Sequence, residues 1–266
     1  MKRAAVLGSP ISHSLSPALH MRAYEILGID AQYDAVEVPS GALPDFLKNV
    51  NSTNSTEWLG FSLTMPLKEE ILELADEIDL LAKKIQSANT LIPIAPRKWR
   101  AHTTDVAGFI WALTSNNALD FKTVTIIGAG GTARAAAAAV DAPGRVIKVI
   151  NRNPKREAAM INAISDSELT FMSWEQADLS SDLVINTTPK GAADILQPDT
   201  GILFESLYNP WPTQLASNWQ GQVVDGLDLL IHQAIDQIAL MTGKSINRSD
   251  FATELRRIGL LKLEDL

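Results

Sequence analysis

Apolar residues fall along the chain in short unbroken runs and in stripes at helical spacing. Residues 4–7 form an apolar run, predicted to be a buried strand. Leu19, Ala23, Ile26 and Leu27 then recur at helical spacing. Ser16 reads as the N-cap of that helix, Pro17 as its first residue and Gly28 as its stop. The stretch 33–38 alternates as a strand does, 44–50 reads as a short helix, and 58–63 as another strand. Pro66 opens a predicted helix with Leu67, Ile71, Leu74 and Ile78 on one face. Two runs, 88–94 and 99–103, flank Ala95-Pro96-Arg97-Lys98, the pattern of a hairpin.

Near Asp105 the rhythm changes. A helix over 106–113 leads to a strand over 122–127 with almost no polar face, as in a parallel sheet covered on both sides. Gly128-Ala129-Gly130-Gly131, an alanine-rich helix and a strand over 146–150 complete a β-α-β unit. Further strands are predicted at 183–185, 202–204 and 222–224. From Leu227 the chain is helical, with Ile231, Ile235, Ile238 and Met241 spaced for packing. The fold class is α/β: an N-terminal α/β part, a doubly wound dinucleotide domain and a C-terminal helical segment.

Composition narrows the functions. The 266 residues are 46% hydrophobic and 20% charged, enough for two compact domains. A net charge of -8 argues against nucleic acid and anionic membrane surfaces, so an anionic ligand needs donors supplied locally. The absence of cysteine excludes a disulfide framework, thiol catalysis and zinc–thiolate sites, and fits a reducing cytoplasm. Met1-Lys2-Arg3 resembles the start of a signal peptide, but the apolar run behind it ends at Gly8-Ser9-Pro10, too short for one. No run reaches the roughly 18 apolar residues of a membrane helix. Asn51-Ser52-Thr53 and Asn54-Ser55-Thr56 match glycosylation sequons and read as a polar loop. His13 and His102 are isolated, and no histidine spacing suggests a metal.

Gly128-x-Gly130-x-x-Ala133 follows a strand and opens a helix. In that context the first glycine permits a tight turn, the second a close backbone approach to a pyrophosphate, and the alanine close helix–strand packing. Free N–H groups and the helix dipole there favour phosphate. About twenty residues on, NAD enzymes place an acid on the ribose hydroxyls. This chain has Asn151-Arg152-Asn153-Pro154-Lys155-Arg156, whose cations suit a 2′-phosphate, so the expected cofactor is NADP.

Seven segments in register resemble the shikimate dehydrogenase family over nearly the whole chain. They are Pro10-Ile11-Ser12-His13-Ser14-Leu15-Ser16-Pro17, Thr64-Met65-Pro66-Leu67-Lys68, Asn89-Thr90, Thr104-Asp105, the glycine loop through Arg134, Tyr208-Asn209-Pro210, and Gln233-Ala234. The resemblance implies two α/β domains with the substrate in the cleft between them and C-terminal helices returning to the first. Residues 1–104 and 227–266 would form the substrate-binding catalytic domain and 105–226 the Rossmann-type NADP domain. The implied reaction is reversible, NADPH-dependent reduction of 3-dehydroshikimate to shikimate. Lys68 and Asp105 would be catalytic, the lysine transferring a proton and the aspartate orienting or assisting it. A cation in the first turn of the helix predicted from Pro66 opposes the helix dipole, which suits a lysine that exchanges a proton.

The same resemblance assigns Ser14 and Ser16 to the substrate carboxylate, and Thr64, Asn89 and Gln233 to ring hydroxyls or carboxylate. Tyr208 stands near the substrate. Gly128, Ala129, Gly130, Gly131, Thr132, Ala133, Asn151, Arg152, Arg156, Thr187 and Gly226 would face the cofactor, and no metal is implied. The partners expected are small molecules alone, with no nucleic acid and no membrane, in a cytoplasmic monomer or homodimer. The chain departs from the family pattern at Ser62 (usually Asn), at Gln86-Ser87-Ala88 (usually Gly-Ala-Val), at Thr103 (usually Asn), and at Asp228, where a glycine usually stands. Three rivals are an NAD-linked quinate/shikimate dehydrogenase, a non-catalytic NADPH-binding paralogue, and a folate or tRNA-linked reductase of the same two-domain plan, a class that does not account for the His13-Ser14-Leu15-Ser16-Pro17 opening. Arg152 and Ser16 argue against the first, and the presence of both Lys68 and Asp105 argues against the second.

Overall fold

The computed structural model describes residues 1–53 and 57–265. The chain divides into two compact units, Met1–Thr104 with Ile231–Leu266 and Asp105–Leu230. The sequon at Asn54 lies outside the described residues.

The first unit opens with β1 (Lys2–Gly8), α1 (Ser16–Leu27), β2 (Ala31–Glu37), α2 (Leu43–Thr53) and β3 (Trp58–Leu63). It continues through α3 (Leu67–Glu70), a 3-10 turn Ile71–Glu73, β4 (Glu77–Ile78), α4 (Leu80–Ile85), β5 (Thr90–Ala95) and β6 (Lys98–His102). Its sheet runs β2-β1-β3-β5-β6-β4. β1 is parallel to β2 and β3, while β5 is antiparallel to both β3 and β6. The hairpin is as predicted, with Arg97 at φ 62 in its tight turn. Leu7, Phe61, Leu63, Leu67, Ile71 and Leu91 are packed in one apolar cluster with Trp99.

Three expectations fail here. Leu15, not Ser16, is the N-cap of α1, and no side chain caps it; Ser16 is the first helical residue and is buried. The helix predicted from Pro66 stops after one turn: Ile71 and Leu74 pack inward as expected, but Ile78 joins a strand beside Ala101. Apolar residues at helical spacing serve a turn followed by a short strand equally well, which periodicity alone cannot separate. Asn51-Ser52-Thr53 is the last turn of α2 rather than a loop, and Asn51 Oδ1 accepts from Trp99 Nε1 at 3.1 Å.

The second unit comprises α5 (Asp105–Ser115), β7 (Thr123–Ile127), α6 (Gly131–Val140), β8 (Val146–Ile150), α7 (Glu157–Ala163) and β9 (Glu168–Met172). It ends with β10 (Leu183–Asn186), β11 (Ile202–Glu205), α8 (Gln214–Asn218) and β12 (Val223–Val224). All pairings in its sheet are parallel, in the order β12-β11-β10-β7-β8-β9. That is the doubly wound order in which the strand sequence reverses between β7 and β10, where ligands bind outside the carboxyl ends. α9 (Gly226–Thr242) carries the chain out of this unit, and α10 (Arg248–Leu263) completes the first. α10 is tied to α1 by Arg22 Nε donating to Glu254 Oε1 at 2.7 Å. No helix among the described residues is long and apolar enough to cross a membrane.

Candidate functional site

In the first unit candidate substrate residues collect along the edge formed by the carboxyl ends of the central strands β1 and β3. β1 and β3 are parallel and end together, at Leu7 paired with Leu63. Thr64 follows β3, and its backbone N–H donates to Leu7 O at 2.9 Å. Gly8 makes this possible, because a side chain there would collide with the Thr64 methyl and the Met65 carbonyl. β5 enters from the same edge: Leu63 N donates to Asn89 O at 2.7 Å and Asn89 N to His102 O at 3.0 Å. Lys68, half-buried on α3, receives Ala88 N on its carbonyl at 2.8 Å. α3 is too short to sum a macrodipole, so the dipole argument for Lys68 does not hold. Ser14 Oγ accepts from Ser16 N at 3.3 Å in the segment that leaves β1.

Asn89 is the hub of this edge and is 2% exposed. Its Nδ2 donates to Gln233 Oε1 and to Thr104 Oγ1, both at 2.9 Å. Its Oδ1 accepts from Thr104 N at 2.8 Å and from Thr90 Oγ1 at 2.9 Å. Gln237, one turn beyond Gln233, donates to Asn89 O at 2.8 Å and to Thr90 Oγ1 at 3.1 Å. Ser62 Oγ donates to Gln237 Oε1 at 2.7 Å, and Tyr33 OH to Ser62 Oγ at 2.6 Å. His20 stacks on the Tyr33 ring with centroids 3.9 Å apart, and complete burial lowers its pKa to about 3. Thr104 stood in the Thr104-Asp105 segment and Ser62 among the departures from the family pattern, but neither was assigned a site role from sequence, and Gln237 was not singled out at all.

In the second unit Gly128 leaves β7 at φ 109, and a Cβ on it would stand 2.6 Å from Thr187 Oγ1. Thr187 itself donates through N and Oγ1 to Ile127 O, at 3.0 and 2.8 Å. Gly130 caps α6 in an extended conformation. Ala133, Ala135, Ala136 and Ala137 are fully buried, as close packing of α6 on the sheet requires. The Arg156 guanidinium lies 3.6 Å from where a Gly130 Cβ would be, so it borders the loop. Gly131 and Thr132 form the first turn of α6, and Ala129 is buried with its carbonyl accepting from Arg134 Nη1 at 3.3 Å.

Asn151 ends β8 where an acid was absent from the sequence. It is buried; its Nδ2 donates to Glu157 Oε1 at 3.2 Å, and its Oδ1 is an acceptor with no partner. The exposed Arg152 guanidinium lies over the Trp174 ring, 4.2 Å from its centroid, beside a pocket of about 380 Å³ that Asn151, Glu157 and Trp174 also line. Nothing local to Trp174 or Glu157 in the sequence marks them for this place.

Gly226 opens α9 against the Ser206–Leu207 backbone, which leaves no room for a Cβ, so packing alone requires glycine there. Asp228 accepts from Asn116 Nδ2 at 2.7 Å. Tyr208 is half-buried after β11, whose last residue Glu205 is fully buried and accepts from Asn186, Thr213 and Leu207. Burial raises the Glu205 pKa against those donors. Asp105 is buried at the start of α5. His102 is not isolated: its Nδ1 lies 3.2 Å from Asp79 Oδ2. Among the described residues no group of three or more His, Asp or Glu is placed to hold a metal ion.

The family model described as the shikimate dehydrogenase substrate binding domain matches residues 6–91. The shikimate dehydrogenase (NADP(+)) of Prochlorococcus marinus strain AS9601 is 33% identical, over 90% of this chain and 91% of its own. The crystal structure of Mycobacterium tuberculosis shikimate dehydrogenase superposes with a TM-score of 0.81 at 33% identity, covering 97% of this chain and 99% of that one. The Thermus thermophilus shikimate 5-dehydrogenase, solved in complex with NADP(H) and shikimate, superposes with a TM-score of 0.82 at 32% identity, covering 97% of this chain and 100% of that one.

Proposed function

The chain belongs to the shikimate dehydrogenase family, and from that premise we infer that it catalyses the reversible, NADPH-dependent reduction of 3-dehydroshikimate to shikimate. It is an NADP-dependent oxidoreductase acting on a CH–OH group. The observation that carries this reading is the likeness of almost the entire chain to the Thermus enzyme solved with NADP(H) and shikimate.

The residues fit the cofactor. A glycine that tolerates no Cβ turns the chain at the switch point, the Arg156 cation borders the loop, and a buried Asn151 acceptor stands at the end of β8. NADPH, when bound, supplies the hydride for C3 of the ring. Gly128, Ala129, Gly130, Gly131, Thr132 and Ala133 would hold its pyrophosphate. Asn151 would take the ribose, and Arg152 and Arg156 the 2′-phosphate, with Thr187 and Gly226 beside them. The same cations, where an NAD enzyme places an acid, count against the NAD-linked quinate alternative.

The remaining work falls to the chain's own side chains. Ser14 and Ser16 bind the substrate carboxylate. Thr64, Asn89 and Gln233 orient the ring, with Tyr208 near it. Lys68 gives a proton to the C3 oxygen on reduction and takes it back on oxidation, and Asp105 orients or assists the lysine. Residues 1–104 and 227–266 serve as the substrate-binding catalytic domain and 105–226 as the NADP domain. The enzyme works in the cytoplasm as a monomer or homodimer.

The test is NADPH formation from shikimate and NADP⁺, run beside quinate and NAD⁺, with Lys68→Ala as control. Turnover lost in the variant supports the assignment. Preference for quinate or NAD⁺ would move the protein to the alternative reading. NADPH binding without any turnover would make it a non-catalytic paralogue.

A further inference from the structure

We propose that Gln237 is a positioning residue: with Ser62 it pins the Asn89 peptide and the Thr90 hydroxyl, and so reinforces the sense that Thr104 N sets for the Asn89 side chain and, through it, for the Gln233 amide. The proposal rests on the reading above, in which Gln233 contacts the hydroxy acid.

The direction of each amide follows from backbone groups that can act in one sense alone. Thr104 N can only donate, so the Asn89 atom it meets at 2.8 Å is the oxygen Oδ1. Asn89 Nδ2 therefore faces Gln233, and the Gln233 atom it meets at 2.9 Å is the acceptor Oε1. The other end of that amide, Nε2, is a donor, which suits a carboxylate or hydroxyl oxygen. On the far side, Asn89 O can only accept, so the Gln237 atom 2.8 Å away is Nε2. Gln237 Oε1 is then the acceptor for Ser62 Oγ at 2.7 Å.

Gln237 reaches the Asn89 side chain through Thr90. Its Nε2 donates to Thr90 Oγ1 at 3.1 Å, which leaves the Thr90 proton to donate to Asn89 Oδ1 at 2.9 Å. Chained hydrogen bonds of this kind orient one another in a water-free interior. Gln237 is 1% exposed, Thr90 0% and Ser62 4%, so no solvent competes. Gln233 and Gln237 lie four residues apart on α9, on one face of it. Without Gln237 the Thr90 hydroxyl is free to rotate, and the Asn89–Gln233 pair loses one of the bonds that hold it in a single sense.

The experiment compares steady-state constants of full-length wild type, Gln237→Met, Gln233→Ala and the double variant, with shikimate and NADP⁺. Loss of the three uncharged bonds that Gln237 makes to Asn89, Thr90 and Ser62 is expected to raise the shikimate KM about 5- to 10-fold in Gln237→Met, with the NADP⁺ KM within about twofold of wild type. In the Gln233→Ala background the further effect of Gln237→Met should shrink to the part that it exerts through Asn89. An unchanged shikimate KM, equal rises in both KM values, or an effect that persists undiminished without Gln233 would each overturn the proposal and leave Gln237 a structural residue. If Gln237→Met does not fold, Ser62→Ala asks the same question, with a shikimate KM raised about threefold expected and an unchanged one overturning it. Failure of the underlying reading looks different: Gln233→Ala alone would leave the shikimate KM at its wild-type value.

Discussion

Gly128 and Thr187 stand so close that position 128 can carry no side chain. A Cβ there would lie 2.6 Å from Thr187 Oγ1, and the backbone at φ 109 is in a region that other residues enter only under strain. Gly128→Ala should therefore raise the KM for NADP⁺ by tenfold or more and cost about 1–3 kcal/mol of stability. Adding Thr187→Ala relieves the collision but not the backbone strain, so stability should recover in part. Cofactor titration and urea unfolding of the two variants check this; full recovery would mean that the φ value is not strained.

Arg156 borders the glycine loop, whereas the Arg152 guanidinium lies over the Trp174 ring. If both cations serve a 2′-phosphate, Arg156→Ala and Arg152→Ala should each raise the KM for NADP⁺ by about 10- to 100-fold, as the loss of a charge-assisted bond does. The KM for NAD⁺, which has no such phosphate, should move less than about twofold under the same uniform-binding logic. Trp174→Ala frees the Arg152 guanidinium from its ring and should weaken NADP⁺ more mildly. Equal losses for both cofactors would place the two arginines away from the phosphate.

Ser16 separates two roles that coincide in sequence. A serine that caps a helix costs about 0.5–2 kcal/mol when replaced by alanine. Here Leu15 occupies the cap position and no side chain caps α1, so Ser16→Ala should leave the unfolding free energy within about 0.5 kcal/mol of wild type. The shikimate KM should nevertheless rise about tenfold if the hydroxyl binds the carboxylate. A stability loss with an unchanged KM would reverse the assignment.

Much of this was legible in the order of residues, for identifiable reasons. β7, β8 and β10 have both faces covered and so read as apolar runs, and the glycines between β7 and α6 are demanded by backbone geometry. β9 at the sheet edge has no fully buried residue, mixes Glu168 and Thr170 with apolar residues, and gave no run to find. The network behind Asn89 was hidden for another reason. Ser62 and Gln237 acquire meaning only through a bond that spans 175 positions, and nothing near either residue records it. Trp174 beneath Arg152 is a case of the same kind.

His20 sets an acid limit on stability. It is fully buried and stacked on Tyr33, and desolvation, only partly offset by Gln237 beside it, lowers its pKa from 6.5 to about 3. Below pH 6.5 the unfolded chain takes up a proton at this residue that the folded chain refuses until pH 3 is approached. Protons bound by the unfolded state then exceed those bound by the folded one, so stability falls as pH falls through that window. Between about pH 6.5 and 5 the loss is about 2 kcal/mol from His20 alone. His232, lowered to about 4 by burial and by the charges of Arg248 and Arg256, adds a loss of the same sign. Replacing His20 with phenylalanine keeps a ring against Tyr33 and removes the titration. Urea unfolding at about pH 7 and pH 5 should show a smaller pH-dependent loss in His20→Phe than in wild type, with the His232 share remaining. An identical loss in the two proteins would mean that His20 is protonated in the folded state.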